Sequence, residues 1–335
     1  NQGNLLENTL NWNINMVAKL TDVAELAGVS PTTVSRVINN KGYLSEKTKK
    51  NVHEAMKILG YKPNNLARGL QGKSPQLIGL IFPNISNIFY AELIEYLEIE
   101  LFNQGYKTII CNSENDPGKE REYLEMLEAN QVDGIISSSH NLGIADYERV
   151  QAPIIAFDRN LAPNVPIIAS DNFEGGKLAA SVLRKNGCQN IIMITGNDNT
   201  DSPTGLRALG FSFQIPEGKV FKVPNSLSTI RREMEIKSII STNKPDGIFI
   251  SDDLTAILTM KIVKKLNLNI PEDVKIIGYD GTSFIEQFFS QLTTIKQPID
   301  ELAKLIVDVL LKKIKGEKIN KDYILPVSLL SGGSI

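Results

Sequence analysis

Thr32, Thr33, Ser35, Arg36 and Asn39 recur along SPTTVSRVINN at a spacing that turns three hydroxyls, a guanidinium and a carboxamide away from an apolar side. Hydroxyls and amides both donate and accept, and a guanidinium forks onto guanine, so the set suits base edges and phosphates. Catalysis is not its chemistry. The only two histidines, His53 and His140, stand in a helix and a polar loop with no nucleophile or metal-ligand spacing around them. Cys111 and Cys188 form no CxxC pair, and the glycines of DNFEGG and SGGS lack the strand-to-helix phosphate signature. A non-enzymatic chain without metal or cofactor is expected.

A helix that displays such a face needs neighbours to hold it. Upstream, LTDVAELAG predicts a first helix with Thr21 as its cap, Asp22 and Glu25 at its positive end, and a stripe of Val23, Leu26 and Ala27. Gly28 allows the reversal. Ser30 before Pro31 is a start signal for the second helix, whose Val34, Val37 and Ile38 face inward. A third helix from Ser45 carries Val52, Ala55, Met56 and Leu59 at helical spacing and closes at Gly60. Together these make a DNA-reading helix-turn-helix. Its expected contact set is Thr21, Ser30, Thr32, Thr33, Ser35, Arg36 and Asn39, with Tyr61 and Asn64 beyond the third helix. An ordinary small helical bundle with solvated faces is the competing interpretation.

Charge separates the two. Residues 16–73 hold ten basic and four acidic side chains, a net charge of +6, whereas the 335-residue chain as a whole carries −2. With Glu7 the only charge before Met16, residues 74–335 are left with −7. A basic head on an acidic body points to a polyanion partner for the head alone. No apolar run is long enough to span a membrane, no signal peptide is visible, and two well-separated cysteines read as reduced buried thiols, so a cytoplasmic protein is expected. The Asn-rich stretch 1–15 reads as a leader with no fixed structure.

From Leu77 onward, apolar runs alternate with amphipathic segments, the pattern of a parallel sheet covered by helices. Strands are predicted at 77–82, 108–111, 134–137, 154–157, 190–195, 247–250, 275–278 and 293–295. In doubly wound sheets ligands sit outside the carboxyl ends of strands, which directs attention to Asp158, Arg159, Ser251, Asp252, Tyr279 and Asp280.

The stretch from Lys19 to Lys73 resembles the DNA-binding head of the lactose-repressor (LacI/GalR) family, and the likeness continues through LIGLIFPNISNIFYAELI, VDGIISSS, IAFDRN, VKIIGYDGT and LTTIKQP, covering residues 16–330. Two stretches, ICNSENDPGKEREYLEMLEANQVDGIISSSHNLG and MITGNDNTDSPTGLR, look most like the sucrose-operon branch of that family from Gram-positive bacteria. The resemblance implies an all-α helix-turn-helix head on an α/β body like the type I periplasmic binding proteins, with two doubly wound parallel-sheet subdomains crossed three times by the chain. It divides the chain into a head at 16–62, a hinge helix and linker at 63–75, and a body at 76–335. Within the body, 76–165 and 297–323 form one subdomain, 166–296 and 324–335 the other.

The resemblance also implies function: a homodimer on a pseudo-palindromic operator, released by a sugar effector, with no membrane partner. Leu70 matches the hinge leucine that the family pushes into the minor groove. Residues 64–71 are too few for a stable isolated helix, so the hinge depends on pairing and on DNA. Asp158, Arg207, Asp252 and Asp280 match the family's effector cleft, where carboxylates accept from sugar hydroxyls and a guanidinium donates. Arg159 stands beside them, and Phe89 or Tyr90 offers a flat face to sugar C–H groups. Pro31, Thr32 and Asp252 depart from the lactose repressor, which alters the expected base preference and sugar contacts. Alternatives are a repressor for another sugar, a catabolite regulator with a phosphoprotein corepressor, and a sugar-binding transport protein. The basic head opposes the last.

Overall fold

Apolar residues at helical spacing close the head around a small core. The computed structural model describes residues 18–38, 41–62, 74–139, 141–196 and 202–335, and the chain divides into two compact units between residues 73 and 74. Asn39, Asn64, Leu70, the leader, His140 and most of the hinge lie outside the described residues. In the first unit, helices α1 (Leu20–Ala27), α2 (Pro31–Ile38) and α3 (Glu46–Ile58) bury Val23, Ala24, Val34, Val37, Val52 and Ala55.

Two local expectations change here. Lys19 holds the cap position of α1, and Asp22 accepts its backbone N–H at 2.7 Å, so Thr21 sits exposed inside the first turn and does not cap the helix. Leu26 is 41% exposed. A 100° step per residue puts Leu20, Val23, Ala24 and Ala27 on the inner side and leaves Leu26 on the flank. Elsewhere the local chemistry is as expected. Gly28 takes φ +65° to end α1, Ser30 Oγ accepts the Thr33 N–H at 3.1 Å ahead of Pro31, and Ser45 Oγ caps α3 through Thr48 N–H at 3.2 Å.

The second unit contains two six-stranded sheets. One has the order β11-β5-β4-β3-β1-β2, built from β1 (Leu77–Phe82), β2 (Lys107–Asn112), β3 (Gly134–Ser137), β4 (Ile154–Phe157), β5 (Ile167–Ser170) and β11 (Asp322–Leu325). The other has the order β12-β10-β9-β8-β6-β7, from β6 (Ile191–Thr195), β7 (Lys219–Lys222), β8 (Gly247–Ile250), β9 (Lys275–Asp280), β10 (Thr293–Lys296) and β12 (Ser328–Leu330). All pairings are parallel except that of β12 with β10. Strands β3, β4 and β8 are buried at every position, as parallel strands covered on both faces must be.

Helices cover both faces of each sheet. In the first subdomain, α4 (Ile88–Asn103) and α12 (Ile299–Ile314) share a core of Leu93, Leu97, Leu101, Leu302, Ile306 and Leu310, while α5 (Pro117–Ala129) and α6 (Ile144–Glu148) cover the other face. The second subdomain is covered by α7 (Asn172–Lys185), α8 (Pro203–Gln214), α9 (Thr229–Asn243), α10 (Asp253–Lys265) and α11 (Ser283–Phe288).

The chain crosses between subdomains after β5, after β10 and after β11. The first crossing therefore falls at 171 and not at 166, because β5 pairs with β4 and β11 in the first sheet. Neighbouring crossings are tied together: Ser170 Oγ donates to Gln297 Oε1 at 2.6 Å, and the Asp171 N–H donates to the Leu325 carbonyl at 2.8 Å.

Candidate functional site

Helix α2 presents the polar face of the head. Thr32 and Arg36 are exposed, while Thr33 and Ser35 are half-buried. Ser30 and Thr33 also cap the helix, their hydroxyl oxygens 2.9 Å apart, which fixes the start of the reading helix. The Arg36 guanidinium rests against Gly42, where an added Cβ would lie 2.4 Å from Nη2. Tyr61 packs on the head core, and burial raises the pKa of its hydroxyl.

In the body, one buried guanidinium organises the carboxyl ends of the strands. Arg207, on α8, is 5% exposed and lies 3.6 Å above the Tyr279 ring centroid. Its Nε donates to Asn172 Oδ1 at 2.8 Å and its Nη1 to the Ser251 carbonyl at 2.6 Å, with Asp280 Oδ1 3.8 Å from Nη1. Asn172 in turn donates to Asp158 Oδ1 at 2.8 Å and to the Ser170 carbonyl at 3.0 Å. Asp158 follows β4 of the first subdomain and Arg207 belongs to the second, so Asn172 links the two. On the far side, Gln297 Nε2 donates to Asp280 Oδ1 at 2.8 Å.

Close helix packing places these groups. A Cβ on Gly176 would lie 2.0 Å from the Arg207 carbonyl oxygen, and one on Gly210 would lie 2.0 Å from that of Phe173. Gly176 of DNFEGG and Gly210 thus let α7 and α8 meet backbone to backbone, while Gly175 makes room for the Tyr279 side chain. Asp158 at φ +60° and Asp280 at φ +128° hold backbone conformations that side-chain residues rarely adopt, which concentrates strain at the cleft.

Electrostatics follow from burial. Burial works against the Arg207 charge, but Tyr279, Asp280, Asp158 and Asp252 outweigh it and hold its pKa above the ordinary value. Burial raises the Asp158 pKa against the pull of Arg207, Asn172 and Arg159, and raises Asp280 well above the usual carboxylate range against Arg207. Asp253 is fully buried, accepts from Gly281 N–H at 2.7 Å and from Thr294 Oγ1 at 2.6 Å, and is pushed up by burial to about 7.

The basic helix-turn-helix and the two-sheet body are each matched by a family model. Residues 19–64 match the model of bacterial regulatory proteins of the lacI family, and residues 180–335 match a periplasmic binding protein-like domain. The sucrose operon repressor of Streptococcus mutans serotype c is 71% identical over 320 residues, covering 96% of this chain and 100% of that one. The chain belongs to the lacI family. Among solved structures, the lac repressor dimer bound to operator and the anti-inducer ONPF aligns with TM-score 0.82 at 25% identity, over 95% of this chain and 99% of that one. A periplasmic binding protein/LacI transcriptional regulator from Alkaliphilus metalliredigens complexed with D-xylulofuranose aligns with TM-score 0.70 at 34% identity, over 78% of this chain and 99% of that one.

As a lacI-family regulator, the chain is a DNA-binding transcriptional protein and not an enzyme. Asp158, Arg207, Asp252 and Asp280 lie near one another at the carboxyl ends of the strands, and all three carboxylates favour the Arg207 charge. Arg159 joins them through its field on Asp158, and its buried Nε has no hydrogen-bond partner among the described residues. Asp252 is also the cap of α10, accepting the Thr255 N–H at 2.8 Å. Phe89 is buried in the first subdomain's core, with its ring centroid 6.0 Å from that of Phe157. Tyr90 is half-buried, its hydroxyl pKa raised by burial against Arg159, with Asp158 and Asp280 also in range. Sequence reasoning missed Asn172, Asp253 and Gln297. DNFEGG, SDDL and LTTIKQP contain them; an acidic or amide residue just past a predicted strand was the available signal for Asp253 and Gln297, whereas Asn172 follows β5, a strand not predicted.

Proposed function

We propose that this chain represses genes for sucrose uptake and catabolism, binding a pseudo-palindromic operator as a homodimer and leaving it when the body takes up sucrose or fructose. The main support is the 71% identity to a sucrose operon repressor over essentially the whole chain. The neighbour that holds D-xylulofuranose, a ketose in its furanose form, gives fructose a precedent at 34% identity. A repressor that reads the bacterial chromosome works in the cytoplasm.

The observation that carries the mechanism is the chain of bonds from Arg207 through Asn172 to Asp158, which joins the two subdomains at the cleft. Sugar hydroxyls that bond to Asp158, Arg207, Asp252 and Asp280, with Tyr90 and Arg159 at the edge, change the closure of the body. Closure alters the separation of the two hinge segments in the dimer, and their grip on the minor groove through Leu70 weakens. In the head, Arg36 and Thr32 read bases, Thr21, Ser30, Thr33, Ser35, Asn39, Tyr61 and Asn64 serve the wider DNA contact, and the lysines meet phosphates.

Fluorescence anisotropy on a palindromic operator, with and without sugar, tests the proposal. Sucrose or fructose is expected to weaken operator binding by about 5–150-fold, with operator weakening sugar binding equally. A sugar that tightens the complex would reject induction in favour of corepression.

A further inference from the structure

We infer that Glu120 is a positioning residue of the effector cleft, holding the loop after β3 in place between Tyr90 and Asp158, an inference that rests on the sugar-responsive function proposed above. Glu120 lies on α5 and is fully buried. Its Oε2 accepts the Asn141 backbone N–H at 3.2 Å and the Asn141 Nδ2 at 2.8 Å, and its Oε1 accepts the hydroxyl of Tyr147 on α6. All three donors are uncharged. Burying a carboxylate costs far more than burying an amide or an alkyl group, so packing alone gives this position no use for one. What the carboxylate adds is an acceptor at both oxygens, which here joins α5 to α6 and to the loop at once; a glutamine would turn its NH2 toward one set of donors.

The loop so held meets the carboxyl ends of three strands. The Tyr147 hydroxyl stands 3.2 Å from the Ser139 carbonyl, Ser139 Oγ lies 2.6 Å from Ser113 Oγ, and Ser113 Oγ donates to the Phe82 carbonyl at 3.3 Å. Ser113 and Ser139 are fully buried. They follow β2 and β3, and Phe82 closes β1. Strand β3 runs between β1 and β4, with Ser137 level with Ile81 on one side and Ala156 on the other. Residues 138 and 139 therefore leave the sheet beside Phe82 and Phe157. Phe82 meets the Tyr90 ring edge-on with centroids 5.6 Å apart, and Asp158 follows Phe157 directly. A loop displaced at Glu120 disturbs both of these cleft residues.

Isothermal titration of the full-length protein with sucrose and with fructose tests this, paired with operator anisotropy in the absence of sugar and with urea unfolding. Glu120→Gln, which sets an amide against Asn141 or Tyr147, is expected to weaken sugar binding by at least about tenfold. Tyr147→Phe removes one donor and keeps the ring, and should weaken it by about 3–10-fold. Since both act on one loop, the double variant should lose less than the product of the two. Operator binding by the sugar-free protein should stay unchanged, which separates a displaced cleft from a damaged fold. Parallel loss of operator binding, or lower urea tolerance with sugar affinity intact, makes Glu120 a residue of the fold alone and overturns the inference while the repressor function stands. Should Glu120→Gln fail to fold, Tyr147→Phe decides by the same readouts. A wild-type protein that binds neither sugar brings down that function together with the inference.

Discussion

Head and body place their charges in opposite ways. The head wears its charge outside: Arg36, Lys41, Lys47 and Lys62 are all exposed around a core of six small apolar side chains. The body buries its charge, with Arg207, Asp253 and Asp280 all under 8% exposed inside the second subdomain. Exposed cations interact through water and salt and can trade one polyanion sequence for another. Desolvated groups interact through fixed partners, so each depends on all the others. The same chain therefore holds a salt-tuned binding face and a geometry-tuned switch.

The sharpest way to break this contrast is Arg207→Ala. Removing one partner of a buried ionic network costs about 3–5 kcal/mol, so the body should melt earlier in chemical denaturation and the sugar response should vanish while operator binding persists at low temperature. Unchanged sugar affinity by calorimetry would remove Arg207 from the effector site. In the head, Arg36→Ala should leave folding intact and cost about 1–3 kcal/mol of discrimination at one base pair in each half-site. Binding to operators mutated singly at every position would detect it, and a uniform loss would reassign Arg36 to the backbone.

A smaller effect is expected with pH. The folded protein holds the Asp253 proton up to about 7, whereas an unfolded aspartate releases it near about 4. The native state thus binds more protons between those values, so this contribution to stability is full below about 4 and is lost as pH rises through 7, with a slope of at most ~1.4 kcal/mol per pH unit. Asp253→Asn keeps an acceptor for the Gly281 N–H and reverses the Thr294 bond, its amide donating to the hydroxyl that now donates to Asp253, and should flatten that slope in urea titrations. Smallest of all, Lys62→Gln should reduce the dependence of operator affinity on log salt by about one unit or less without changing base preference.

The same contrast explains what could be read from sequence. Head chemistry is local: Gly28, Ser30 before Pro31, and Ser45 act within three or four residues, and each takes its expected place. The exceptions, Thr21 and Leu26, turn on where α1 begins and on its short length. In the body, all eight predicted strands form; of the four not predicted, β7, β11 and β12 are sheet-edge strands without a buried position, and β5 is a four-residue IIAS run. The cleft acids were visible because they follow strands. Arg207 was reached only through the family resemblance, and these links were not legible, since Arg207 meets Asn172 across 35 positions and Ser170 meets Gln297 across 127, distances that no local pattern encodes.

Cross-linking the three connecting strands has a mechanical consequence. Segments joined by a single tether can wander in every direction, whereas three cords lashed side by side through Ser170 to Gln297 and Asp171 to Leu325 resist sliding and twisting, and yield most easily by bending. Carbohydrate uptake then has one soft coordinate on which to act, and replacing Ser170 by alanine would loosen the lashing while leaving the backbone pairing of β5 with β11 in place.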